Sequence, residues 1–246
     1  MSTDITRLLE DWPYDEENAM RVIIADDGRN VLQVRQPLGI EQYELDGRPD
    51  GVRAGEYETV VEVVEHRLAE YQTAHGTDDG FELGADDSND LENEGILFYY
   101  RYLLLFQLND FERVVRDTRH NLRICDLLEK YAEKEDAEAV LQFKPYIYRM
   151  HSVSKAMDSV QKHQNAQART ILEEAIEAIE SMKEIDTPAF EFERVRSVNY
   201  LRSALEQIDD SPDDPVDRLK KELAAAIQNE NYERAAELRD HIRELS

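Results

Sequence analysis

The chain has 246 residues, 41% of them hydrophobic, with 29 basic and 55 acidic side chains and a net charge of −26. That length allows one or two domains with a real core. Such an acidic balance opposes wholesale electrostatic binding of nucleic acid, because phosphate is repelled. No run approaches the ~18 apolar residues of a membrane span. The start, MSTDITRLLEDWPYDEE, has neither a basic nor an apolar leader region. The single cysteine, Cys125, excludes an intramolecular disulfide and fits a reducing compartment, so a cytoplasmic protein is expected.

The predicted elements begin with a short helix over 4–10, which Asp11-Trp12-Pro13-Tyr14 ends. Trp12, the only tryptophan, is expected to anchor a core. Residues 20–26 (MRVIIAD) are rich in β-branched types and lead into Asp27-Gly28, a hairpin turn. Alternation over Val31–Arg35 and then GIEQYEL at 39–45 give a three-stranded antiparallel sheet. The loop Gly47-Arg48-Pro49-Asp50-Gly51 follows. A helix over 56–74 is expected to cover the sheet with Val60, Val63, Val64, Arg67, Leu68 and Tyr71 on one side.

Residues 76–95 hold eight carboxylates and no Lys or Arg. They read as an exposed, mobile acidic loop. Neither Asp86 nor Asp90 opens a calcium-binding loop, since Leu97 and Arg101 occupy the closing position that requires Glu.

From Ile96 the pattern is helical, with helices at about 91–108, 110–132, 135–162, 165–184 and 188–208. Short breaks between them predict antiparallel hairpins, weakly similar to tetratricopeptide repeats but without a clean period. Ser211-Pro212-Asp213-Asp214-Pro215 then reads as a linker. The expected fold class is therefore α+β, mainly α. A sheet and helix occupy 1–75, the acidic loop 76–95, a helical-hairpin domain 96–210, the linker 211–215 and a terminal hairpin 216–246.

That terminal hairpin has two apolar stripes. Leu219, Leu223 and Ile227 recur at four-residue spacing, and Tyr232, Ala235, Leu238, Ile242 and Leu245 continue at three- and four-residue steps. Asn229–Asn231 is the polar break between them. A hairpin this short cannot bury enough surface to stand alone; units below ~40 residues usually need a staple or a partner. The first stripe is expected to pack against Ala235, Leu238 and Ile242. Arg239 and Asp240 are sequence neighbours, so they are expected to point apart and each to pair with another group.

Leu219-x3-Leu223, Ala226-Ile227 and above all Tyr232–Ile242 (YERAAELRDHI) resemble the UVR motif. That motif is shared by the excision-repair proteins UvrB and UvrC, by some Clp-type chaperone ATPases and by the activator of protein arginine kinase. Tyr232 stands where the motif usually has Phe, and Glu230 where it usually has an apolar residue. The resemblance implies a protein-docking hairpin. Its contact residues would be Leu219, Leu223, Ile227, Tyr232, Ala235, Leu238, Arg239, Asp240 and Ile242. The partner would be a protein with a hairpin of the same kind or a second copy of the chain. With Asp11–Tyr14 and the Gly47–Gly51 loop, the motif also resembles a group of bacterial UvrB/UvrC-motif-containing proteins. That likeness places the architecture and brings no activity with it.

No phosphate-binding loop, dinucleotide fingerprint, nucleophile elbow or zinc-protease motif is present, and no His/Cys pair has zinc spacing. No enzyme, cofactor or metal site is expected. One local feature departs from the overall charge. Arg113, Arg116, Arg119, His120 and Arg123 form a basic stripe along one helix. Tyr99, Tyr100, Tyr102, Tyr146 and Tyr148, with Arg101 and Arg149, add groups able to stack. The four stripe arginines are candidate phosphate contacts of a single-strand track; the alternative is a face that pairs with acidic residues of the same chain. Three functions follow: an adaptor linked to nucleotide excision repair, an adaptor of Clp-type protein quality control, or a weak nucleic-acid binder.

Overall fold

The computed structural model describes residues 4–209, 231–245 and, between them, Leu219, Leu223, Ala226 and Ile227; the side chains at 209, 232, 233, 244 and 245 lie outside the description. The linker expected at 211–215 falls outside the described residues. The fold is α+β and mainly α, 65% helical with one small sheet. Among the described residues no helix is long and apolar enough to cross a membrane.

Two units divide the chain. The first comprises Met1–Leu108 with Arg116–Leu141, and the second Asn109–Val115 with Gln142–Ser246. The helical region expected to form one domain at 96–210 is thus shared between them.

In the first unit, α1 (Thr6–Asp11) precedes strands β1 (Met20–Ile24), β2 (Asn30–Gln36) and β3 (Gly39–Glu44). They pair antiparallel in the order β1-β2-β3, with Val22 opposite Leu32 and Leu32 opposite Tyr43. Gly28 takes φ +88° in the first turn, where a side chain would be strained. The central strand is buried on both faces, through Val31 and Arg35 on one and Leu32 and Val34 on the other. Trp12 is half-buried rather than a core anchor. The Arg21 guanidinium lies 3.9 Å from its ring centre, and its carbonyl accepts from Arg35 Nε at 2.7 Å.

Helix α2 spans Val60–His75 and buries Val61, Val64 and Leu68. Val61 takes the buried place expected of Val60, and Arg67 faces solvent. Thr59 caps the helix by accepting from the Glu62 amide at 3.2 Å. Helix α3 spans Ala85–Gln107 and packs against α2.

This corrects the expected acidic loop at 76–95, whose second half is helix. The carboxylates there find partners from distant parts of the sequence. Asp87 pairs with Arg67, Asp78 with Lys130 and the Tyr131 hydroxyl, and Glu94 is fully buried. Glu94 accepts from the Val60 and Val61 amides at 2.7 and 3.2 Å, placing its charge at the positive end of α2.

Helix α4 (Phe111–Tyr131) follows a turn in which Asn109 adopts φ +57°. Asn109 tolerates this left-handed conformation better than most side chains. Asp110 caps α4 by accepting from the Arg113 amide. Cys125 is fully buried beside Leu127 and Leu128, as its apolar setting predicts. The single helix expected over 135–162 is two, α5 (Lys134–Leu141) and α6 (Lys144–Gln161). Pro145 explains the break, because it has no amide to continue a helix from Leu141 and suits a first turn.

In the second unit, α6, α7 (Asn165–Glu180) and α8 (Pro188–Asp209) contact one another in all three pairings. Ile147, Val153, Leu172, Ala175, Ile179, Phe190 and Leu201 supply the buried apolar residues. His163 turns the chain between α6 and α7 at φ +57°. The last helix, α9, is Tyr232–Leu245.

Candidate functional site

The C-terminal hairpin has a helical first arm, represented by Leu219, Leu223, Ala226 and Ile227, and α9 as its second. The turn closes through Asn231. Its amide donates to the Ala226 carbonyl at 2.8 Å, and its side-chain Oδ1 accepts from the Arg234 amide at 3.2 Å. Asn231 is therefore the N-cap of α9. Sequence reading had it only as a polar break, although Asn just ahead of an apolar stripe is a helix-start signal.

Between the arms, Ala226, Ala235 and Leu238 are buried, and Leu219 and Leu223 pack against them. A small residue faces inward from each arm, which lets the backbones approach closely. Ile227 is 54% exposed, so the inward stripe is Leu219-Leu223-Ala226 and not Leu219-Leu223-Ile227. The reason is helical drift: at 3.6 residues per turn, steps of four then three hold one face better than two steps of four.

Ile242 is half-buried. Tyr232 opens α9, but its side chain lies outside the description. Arg239 and Asp240 do reach each other, with Nη2 3.3 Å from Oδ1, contrary to the expectation that they point apart. Both groups are exposed, so this pair contributes at most ~1 kcal/mol. The hairpin thus buries a small internal seam and presents Ile227, Arg239 and Asp240 outward.

The arginine stripe of α4 has a different environment. Arg113 Nη1 bonds Asp110 at 2.7 Å. Arg116 donates to Asp117 at 2.9 Å, to Asp46 at 3.0 Å and to the Leu45 carbonyl at 2.6 Å. Arg123 pairs with Glu65. His120 stacks on Phe98 with ring centres 3.8 Å apart, and its Nε2 lies 2.9 Å from Glu94. Arg119 is exposed. Three of the four candidate phosphate contacts therefore already face carboxylates of their own chain.

Beneath the stripe is a polar cluster that sequence reading did not find. Arg101 and Asp117 are both buried, and Arg101 Nη1 also donates to the Glu44 and Gly47 carbonyls at 2.8 and 2.9 Å. These bonds tie α3 and α4 to the end of β3. Only the polar Asp117, set in the run between Val114 and Thr118, signalled a charge on the inner side of α4.

The geometry defines a mainly helical α+β chain that ends in a capped helical hairpin with an alanine-rich seam. Residues 213–246 match the UvrB/uvrC motif, the UVR family. Comparison with curated proteins and with solved structures finds no match to the chain.

Proposed function

We propose that this chain is a non-enzymatic adaptor that captures a protein partner through the outer surface of its UVR hairpin. The observation that carries this reading is the division of labour within the hairpin. Ala226, Ala235 and Leu238 hold the arms together, while Ile227 stays exposed on a motif that matches the UVR family. Charge supports it as well. Residues 216–246 carry six basic and seven acidic side chains, against a net −18 over residues 1–95. Docking at the hairpin is therefore not resisted by a strong local field. The partner is a protein with a hairpin of the same kind, or a second copy of the chain. Excision repair, from which the motif takes its name, is the process proposed.

The test compares the full chain with a version lacking 212–246, mixed with a purified UvrB-type C-terminal hairpin and analysed by sedimentation. The full chain should form a complex with that hairpin or with itself. The truncated chain should remain folded and form neither. A truncated chain that melts, with a full chain that stays alone, would make the hairpin a structural lid and end this reading.

A further inference from the structure

Helices α6 and α8 bury a guanidinium without completing its hydrogen bonds. Arg149 is only 5% exposed. Its Cζ lies 4.8 Å from the centre of the Tyr146 ring and 5.4 Å from that of Tyr200. Its carboxylate neighbour is Glu193, whose Oε2 stands 3.9 Å from Nη2, beyond hydrogen-bond reach. Among the described residues, neither Arg149 Nη1 nor Glu193 Oε2 has a hydrogen-bond partner. Arg196 approaches Glu193 Oε1 from the surface at 3.7 Å. Two guanidinium groups thus share one carboxylate.

A cation buried this way lowers stability relative to an apolar side chain of similar shape. Burial also pulls the Arg149 guanidinium below its ordinary pKa. The desolvated fork is nevertheless well suited to a planar pair of oxygens, which it meets with two parallel N–H bonds.

Arg196 belongs to a second feature. With Pro188, Phe192 and Val195 it lines an open groove along α8. Phe192 and Val195 are 60% and 56% exposed, and Arg196 Cζ is 5.8 Å from the Phe192 ring centre. Tyr200 is 48% exposed, and its ring centre is the second one over which the Arg149 guanidinium lies.

We propose that Arg149 and Arg196, with the Phe192–Val195 face, form a binding site for a carboxylate monoanion with an apolar body. Glu193 and, lining the groove, Glu191 balance the two guanidinium charges, so the site opposes a dianion more than a monoanion. In this proposal the apolar body lies along α8 and the half-exposed Tyr200 turns aside, so that the carboxylate completes the bonds of Arg149.

The test is thermal unfolding of the full chain with benzoate, against chloride and inorganic phosphate at equal ionic strength. Benzoate should raise the midpoint of the wild type more than either control. Arg149→Met should fold, be at least as stable without benzoate, and lose the response. Arg149→Lys, which keeps the charge but not the fork, should lose most of it. Phe192→Ser should weaken benzoate by about tenfold, the equivalent of one lost phenyl contact. If Arg149→Met does not fold, Phe192→Ser and Arg196→Gln, both at exposed positions, carry the test. No benzoate response in the wild type, or equal responses in the wild type and the Arg149 variants, would overturn the site. Phosphate as effective as benzoate would overturn the ligand class.

Discussion

Arg101 and Asp117 are both fully buried and meet through two hydrogen bonds, Nε to Oδ2 at 2.7 Å and Nη2 to Oδ1 at 2.8 Å. Their fork-to-fork geometry offsets the desolvation of both charges only while both are present. Removing Asp117 leaves the buried Arg101 guanidinium with only the neutral Glu44 and Gly47 carbonyls. Asp117→Ala should therefore cost about 3–5 kcal/mol in chemical denaturation. Arg101→Ala should cost less, because Asp117 would keep the Arg116 guanidinium at 2.9 Å. An Arg101 variant that destabilises more than Asp117→Ala would contradict this ranking.

Glu94 works as a remote cap on α2. Glu94→Gln keeps the shape but removes the charge that faces the Val60 and Val61 amides. The loss should be about 1–3 kcal/mol, the range for an impaired buried charged hydrogen bond. Hydrogen exchange at those two amides should accelerate more than exchange in the middle of α2. Uniform acceleration along the helix would mean that Glu94 acts on the whole unit.

Acid should weaken the chain partly through Asp78. The Lys130 ammonium, joined by the Tyr131 hydroxyl, holds its carboxyl down to about 2. An unfolded aspartate titrates near ~3.9, so between these values the unfolded chain binds more protons. The stability due to Asp78 is present above the upper value and lost as pH falls toward the lower. Asp78→Asn should flatten the pH dependence in that interval and leave it unchanged near neutrality. An unaltered acid limb would remove Asp78 from the account.

Two substitutions separate the inside of the hairpin from its outside. Asn231→Ala removes the α9 cap and should cost ~1 kcal/mol of local helix stability, read as faster exchange at the Arg234 amide. Ile227→Asp should leave that amide protected yet abolish capture of the partner hairpin, because Ile227 contributes to the outer surface. Loss of protection in Ile227→Asp would place this residue in the seam after all.

The sheet was legible because alternation and Asp27-Gly28 encode it locally. The hairpin was legible because its apolar spacing and motif lie within one continuous segment. What stayed hidden depends on distant partners. The start of α3 was obscured because Ser88 and Glu94 occupy inward positions where an apolar marker is expected, and Leu91 is the lone signal between them. Glu94 is buried because α2 offers two amides some thirty residues away, a reason no local pattern holds. The arginine stripe was visible as spacing, and Asp110 lies only three residues before Arg113, but the carboxylates at 46 and 65 are set by tertiary packing. Pro145 was a local signal, and it marks the break between α5 and α6.

The buried thiol of Cys125 gives the first unit an internal clock. A thiol reagent cannot touch it while α4 is seated, so labelling proceeds only through opening of that helix. With one cysteine in the sequence, the labelling rate belongs to one place. Repeated across the Arg101, Glu94 and Asp78 variants, it would rank how firmly each side chain holds α4 down, with no cysteine introduced and no change to the hairpin.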